Sequence, residues 1–284
     1  MSGPHGRPTG TGFTERLEAV RSRIGSASAD PDAVRIVAVT KGFGADEVVS
    51  ALAAGLADIG ENYADELVAK AGAVAKAGAV AQGGEAAGGA AAESGGAAGG
   101  AAAESGGAAG GAAAESGGAA GGAAARTVLT DGLAVPVWHF LGAVQRNKVP
   151  RLAPWVAWWQ TVSRVEEGRA IAGRRPGATV LVQVDVAGLP GRGGCPPDQV
   201  HELVAALRDQ DLAVAGLMAV GPPGVPEASR PGFALVSDLA DRLDLPVRSM
   251  GMSDDLEVAL AEGSTMVRLG RALFGERPLP GGRR

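Results

Sequence analysis

Lysine is scarce in this 284-residue chain: Lys41, Lys70, Lys76 and Lys148 stand against 22 arginines. Lys41 ends the run Val34-Arg35-Ile36-Val37-Ala38-Val39-Thr40, and the two-residue alternation of a strand puts it on the face of Val37 and Val39. At the mouth of a buried interior an ammonium is partly desolvated, which lowers its pKa and frees the neutral amine to attack a carbonyl carbon. The alternative is a strand-end lysine that reaches solvent. Arg268 lies inside a second such run, on the face of Met266 and Gly270 and opposite Thr265, Val267 and Leu269. If that face looks inward, its guanidinium needs an acceptor such as a carboxylate or a ligand atom. If it looks outward, Arg268 is a surface residue.

Small residues cluster near the same end of the chain. Ser249-Met250-Gly251-Met252-Ser253 and Leu269-Gly270-Arg271 each follow or close an apolar run, and backbone amides beside small side chains can hold a phosphate. Ser253 also precedes Asp254-Asp255-Leu256, where it would serve as a helix N-cap. Asn62, in Gly60-Glu61-Asn62-Tyr63, either meets a ligand or caps the helix expected from Ala64. His139 has no Ser or Cys partner at a recognisable spacing and reads as a satisfied core histidine. Gln145-Arg146-Asn147-Lys148 reads as a solvated helix start, and Trp155, Trp158 and Trp159 as packing. Cys195, the only cysteine, has no CxxC partner, which speaks against a metal site.

The elements that must position these residues repeat. An amphipathic helix places Phe13, Leu17, Val20 and Ile24 on one face, and strands are expected near 34–40, 56–60, 137–142, 155–161, 179–186, 213–220, 246–250 and 265–269. Most of these runs are continuously apolar, as strands covered on both faces are, and helical segments separate them. Eight such units predict a closed (β/α)8 TIM barrel, whose chemistry sits at the C-terminal ends of its strands and whose phosphate sites favour the loops after strands seven and eight. Lys41, Ser249, Ser253, Arg268 and Gly270 all fall there.

One stretch does not fit a barrel. AAAESGGAAGG occurs three times in succession, at 90–100, 101–111 and 112–122, with no large apolar side chain and two Gly pairs per repeat. It predicts a disordered surface insertion over 83–125, after a helical flank at 65–82, within a single barrel domain spanning 13–280 and flanked by tails at 1–12 and 281–284. A net charge of −5 gives no basic footprint for nucleic acid. No apolar run approaches the ~20 residues of a membrane span. No signal-peptide core is present, and a lone cysteine fits a reducing, cytoplasmic setting.

Six ordered motifs carry a resemblance. VAVTK at 37–41, GENY at 60–63, WHFLGAVQRNK at 138–148, GLMAV at 216–220, SMGMSDD at 249–255 and GSTMVRLGRALFG at 263–275 resemble the pyridoxal phosphate homeostasis proteins, the YggS/PROSC family. The resemblance implies a barrel of the alanine racemase N-terminal type with pyridoxal 5′-phosphate (PLP) as cofactor. It further implies Lys41 as the Schiff-base lysine, Arg268 at the pyridine nitrogen, Asn62 near the phenolate oxygen, and phosphate contacts from Ser249, Ser253, Gly270 and the Arg271 backbone. Such proteins maintain the intracellular PLP pool without established turnover, so PLP-dependent apoenzymes are the expected recipients and a monomer the expected state. An amino-acid racemase on the same barrel is the alternative. It would need acid/base groups on both faces of the substrate, whereas Tyr63 is the only tyrosine and no second domain is recognisable after the barrel. Two positions depart from the family pattern: Gly42 stands where Thr is common and Arg192 where Lys is usual.

Overall fold

The computed structural model describes residues 10–86, 134–189 and 191–277. The expected repeats and C-terminal tail lie outside these residues. Helix α1 (Gly10–Ala27) starts three residues inside the expected N-terminal tail and buries Phe13, Leu17, Val20 and Ile24. Then β1 (Arg35–Val39), α2 (Ala45–Ala53), β2 (Asp58–Glu61) and α3 (Ala64–Ala86) alternate. After the break come β3 (Val137–Phe140), α4 (Val149–Leu152), β4 (Val156–Val162), α5 (Val165–Ala172) and β5 (Thr179–Gln183). The chain closes with α6 (Val200–Arg208), β6 (Ala213–Met218), α7 (Arg230–Arg242), β7 (Val247–Ser249), α8 (Leu256–Ala261), β8 (Met266–Leu269) and α9 (Arg271–Phe274). All eight strands are parallel and close in sequence order, β8 pairing with β1. The expected barrel is the one observed.

Helix α3 is longer than its expected flank and takes in residues 83–86, which the sequence assigned to the insertion. Its alanine-rich composition favours helix, and Asp65 and Glu66 complement the dipole at its first turn. Leu67, Ala71 and Val74, spaced by helical turns, bury its inner face.

The main apolar layer lies between strands and helices and includes Ile59, Trp159, Val180, Leu217 and Phe233. A second, much smaller core fills the barrel itself: Val37, Leu181, Met218 and Met266, with Trp158, Ala215 and Val247 packed on it. Arg268 pairs opposite Val37 and Ser249 opposite Met266, so both point into this interior. Helix α1 packs beside α8 and α9 and ties down the loops between them. Arg16 Nε donates to the Leu273 carbonyl, an Arg23 N–H donates to the Ser253 carbonyl at 3.1 Å, and Phe13 and Phe43 both lean on Phe274.

Candidate functional site

A cavity of about 520 Å³ opens at the C-terminal ends of the strands, lined among others by Lys41, Asn62, Met218, Arg268, Gly270 and Arg277. Its size suits a small ligand. Lys41 follows the end of β1 with its side chain partly covered. Burial is the main reason its ammonium is held below the usual lysine pKa, the nearby Arg277 and Arg268 cations add to this, and Glu61 opposes it. The amine is thus biased toward its nucleophilic form.

Two contacts fix the turn around Lys41. Lys70 Nζ donates to the Thr40 carbonyl at 2.7 Å, and the Gly42 N–H donates to Glu66 Oε2 at 2.9 Å. Gly42 has φ +76°, a left-handed conformation that glycine adopts at low cost, and a Cβ there would come 3.3 Å from Arg277 Cδ. The departure from Thr therefore leaves room for Arg277 to lie over this turn.

Arg268 is 5% exposed. Its Nη1 donates to the Ser249 carbonyl at 2.6 Å and to Ser249 Oγ at 2.8 Å, and its Nη2 donates to the Ala219 carbonyl at 2.8 Å. Burial lowers its pKa to about 10, with Asp255 opposing, which still leaves it charged at neutral pH. Three of its five N–H donors are used this way, so the guanidinium enters the cavity wall with donors to spare.

The other expected residues divide. Asn62 lines the cavity, and α3 begins at Ala64 with Tyr63 before it, so Asn62 is not the cap residue. Ser253 also lines the cavity, and its Oγ accepts the Ala272 N–H at 3.1 Å, while Asp255 is the N-cap of α8. Gly270 and Arg271 complete this wall. A Cβ on Gly270 would come 3.2 Å from the Val39 carbonyl, so its absence lets β8 close on β1. Arg271 pairs with Asp254. Ser249 is not brought to the cavity: it is fully buried below Arg268, with its hydroxyl spent on Arg268 and Gln160.

Arg277 is a lining residue that the sequence did not single out. It follows the last helix in a polar stretch with no periodicity, and only its position over Gly42 reveals it. Arg192 lies away from the cavity and donates to the Gly221 carbonyl at 3.0 Å, linking the loops after β5 and β6. Cys195 is buried, which pushes its thiol up to about 11. Among the described residues no group of His, Cys, Asp and Glu could hold a metal ion, and no helix is long and apolar enough to cross a membrane.

Comparison with known proteins agrees with this fold. The sequence profile of the alanine racemase N-terminal domain matches residues 14–278. The pyridoxal phosphate homeostasis protein of Pseudomonas aeruginosa is 30% identical over 266 residues, 91% of each chain. That of Aquifex aeolicus is 39% identical over 153 residues, 49% of this chain and 67% of the relative. Among solved structures, PipY of Synechococcus elongatus with PLP bound has a TM-score of 0.63 at 24% identity, covering 93% of this chain and 100% of PipY. Alanine racemase of Clostridium difficile reaches a TM-score of 0.58 at 12% identity, covering 95% of this chain and 61% of the racemase. A profile match over almost all of the described chain, with a relative at 30% identity across 91% of both sequences, establishes that this barrel belongs to the alanine racemase N-terminal domain family and, within it, to the pyridoxal phosphate homeostasis proteins.

Proposed function

We propose that this protein holds PLP in the cavity between Lys41 and Arg268 and serves as a carrier that maintains the intracellular pool of the cofactor. The observation that carries this reading is the pairing of a partly buried, pKa-lowered lysine with a buried arginine across one small cavity. The residues present fit the cofactor. An amine stands ready for an aldehyde, a guanidinium with unspent donors could meet a ring-nitrogen acceptor, and Arg277 adds positive charge at the mouth for a phosphate. When bound, PLP supplies an electrophilic aldehyde and an electron-withdrawing ring.

Lys41 Nζ would condense with that aldehyde, releasing water and making the link covalent. Arg268 would donate to the ring nitrogen and, by remaining a donor, keep that nitrogen unprotonated. Asn62 would meet the phenolate oxygen. Ser253, Gly270 and the Arg271 backbone would hold the phosphate, with Ser249 acting one layer below through Arg268.

A carrier fits better than a racemase because Tyr63, the only tyrosine in the chain, is 58% exposed and is not among the residues lining the cavity. No second tyrosine can supply a base on the opposite face of a substrate. A single barrel domain would carry this function as a monomer, with an insertion between α3 and β3 and PLP-dependent apoenzymes as recipients. Its lone buried cysteine suits a reducing cytoplasm.

The test is reconstitution with PLP. An absorption band in the near-ultraviolet or visible should appear, and borohydride reduction should leave a mass adduct on the peptide containing Lys41. Lys41→Ala should lose the adduct and keep the fold. An adduct on Lys148 or another lysine would refute the site. Rapid formation of deuterated D-alanine from L-alanine in deuterated water would refute the carrier.

A further inference from the structure

The barrel interior holds a set of polar side chains that the carrier chemistry does not use directly. His139 Nε2 lies 2.8 Å from Asp58 Oδ1, and Gln160 Nε2 lies 2.7 Å from His139 Nδ1. Ser249 Oγ lies 2.7 Å from Gln160 Oε1, and Arg268 Nη1 lies 2.8 Å from Ser249 Oγ. These contacts form one continuous line from the start of β2, through β3, β4 and β7, to the cavity wall on β8. His139, Gln160 and Ser249 are each 0% exposed.

The direction of every link follows from the inventory of donors and acceptors. A guanidinium only donates, so Ser249 Oγ accepts from Arg268 and its own O–H is left to donate to Gln160 Oε1. That contact turns the amide nitrogen toward His139, and an amide N–H only donates. Nδ1 must therefore be the bare acceptor, the proton sits on Nε2, and Nε2–H donates to the Asp58 carboxylate. A doubly protonated imidazole would set Nδ1–H against the amide N–H, donor against donor. Burial acts in the same sense, pushing the His139 pKa below its ordinary value, with Asp58 opposing. Trp158, which stacks on the imidazole and carries Arg35 over its ring, holds the plane of His139 from below.

Apolar side chains fill such interiors more cheaply, as Val37, Leu181 and Met266 do here. A polar run in the same layers is stable only if every member is satisfied. Of its two ends, Asp58 lies at the opposite end of the strands from the cavity, whereas Arg268 lines it. We propose that His139, Gln160 and Ser249 are positioning residues which, anchored on Asp58, fix the orientation of the Arg268 guanidinium at the cavity. This rests on the carrier reading for what Arg268 meets, but the chain of hydrogen bonds does not.

Gln160→Met keeps length and apolar volume while removing the two middle links, and Ser249→Ala removes the last two. Both retain the backbone acceptors of Arg268. With PLP as the probe, each variant should still give the reduced adduct on Lys41. The absorption band of the unreduced complex should shift, and cofactor release should quicken about five- to tenfold, the equivalent of one hydrogen bond. If Gln160→Met and Ser249→Ala lower the melting temperature but leave band and release unchanged, the set only packs the interior and the inference is wrong.

Wild-type protein that takes up no PLP would refute the carrier reading instead, and the inference is then decided without cofactor. With only three histidines in the chain, nitrogen-15 spectra should show His139 as the Nε2–H tautomer at neutral pH, taking up its second proton below the ordinary histidine range. The slowly exchanging guanidinium signals of Arg268 should broaden in Gln160→Met. A His139 that carries its proton on Nδ1 at neutral pH, or Arg268 signals indifferent to that change, would overturn it.

Discussion

Two buried polar clusters flank the cavity, one inside the barrel and one outside it, and they position two of its lining cations, Arg268 and Lys41. Inside, Arg268 ends a chain whose middle members are neutral. Outside, beneath α3, charges touch directly: Lys70 Nζ lies 2.6 Å from Glu61 Oε1 and 3.1 Å from Glu66 Oε2, and Thr40 Oγ1 donates to Glu61 Oε1 at 2.6 Å. Lys70 is only 6% exposed. Glu61 Oε2 is buried without a hydrogen-bond partner, and burial raises the Glu61 pKa although Lys70 and Thr40 oppose it. The outer cluster clamps the Thr40 carbonyl and the Gly42 N–H, the two backbone groups on either side of Lys41. The difference separates two requirements: a reactive amine on a turn needs a rigid backbone, whereas a guanidinium on a strand already has one and needs only its side chain oriented. Direct ion contact serves the first and neutral relays serve the second.

The largest effect should come from breaking the outer pair. Lys70→Met leaves Glu61 charged and buried without its cation, which should cost about 3–5 kcal/mol in denaturant unfolding. Adding Glu61→Met should recover most of that, because two apolar residues leave no unpaired charge. A loss below about 1 kcal/mol for the single variant would mean that the pair behaves as a solvated surface contact.

Much of this was legible in the sequence. Strand alternation put Lys41 beside Val37 and Arg268 beside Met266, and both sit where that rule places them. The same rule applied to Val247 and Ser249 turns Ser249 inward, but its neighbourhood of small residues suggested the phosphate loop instead. Gln160 was hidden in an apolar run, although a lone amide in a continuously buried strand is itself a sign of an interior partner. Lys70 gave no such sign. A lysine on a helix is ordinarily solvated, and only the placement of α3 across the end of β2 buries it. Arg277 depended likewise on a turn conformation that no local pattern encodes.

An intermediate effect should appear in pH dependence. His139 is neutral in the fold and its pKa lies below the ~6.5 of an unfolded histidine. Between its folded value and ~6.5 the unfolded chain binds more protons, so this residue makes stability rise with pH across that window. Glu61, raised by burial, acts in the opposite sense above its unfolded value, so the total slope mixes both. The comparison that isolates the inner cluster is wild type against His139→Gln. Their difference in unfolding free energy should change toward favouring wild type by up to ~1.4 kcal/mol per pH unit as pH rises, then level off above ~6.5. A difference that is flat with pH would show that His139 does not titrate differently in the two states.

The smallest effect on stability should come from Glu66→Gln, and it sharpens the division of labour most. The Glu66 side chain is about one-third exposed, so its pairing with Lys70 should contribute less than ~1 kcal/mol. The amide oxygen that this substitution introduces can still accept the Gly42 N–H, which keeps the turn. What changes is charge: one carboxylate near the Lys70 and Glu61 pair is lost, while the groups that lower the Lys41 pKa, its burial with Arg277 and Arg268, stay in place. The adduct on Lys41 should therefore form at nearly the wild-type rate. Glu66→Ala removes the acceptor altogether, leaves the Gly42 N–H without its partner and loosens the turn. Adduct formation should then slow by about two- to tenfold, the range expected when a hydrogen bond worth ~0.5–1.5 kcal/mol is lost. Measuring both variants by stopped-flow absorbance after mixing with PLP separates charge from geometry. Equal slowing in the two would assign the effect to the lost charge and would contradict a clamp that works by holding backbone.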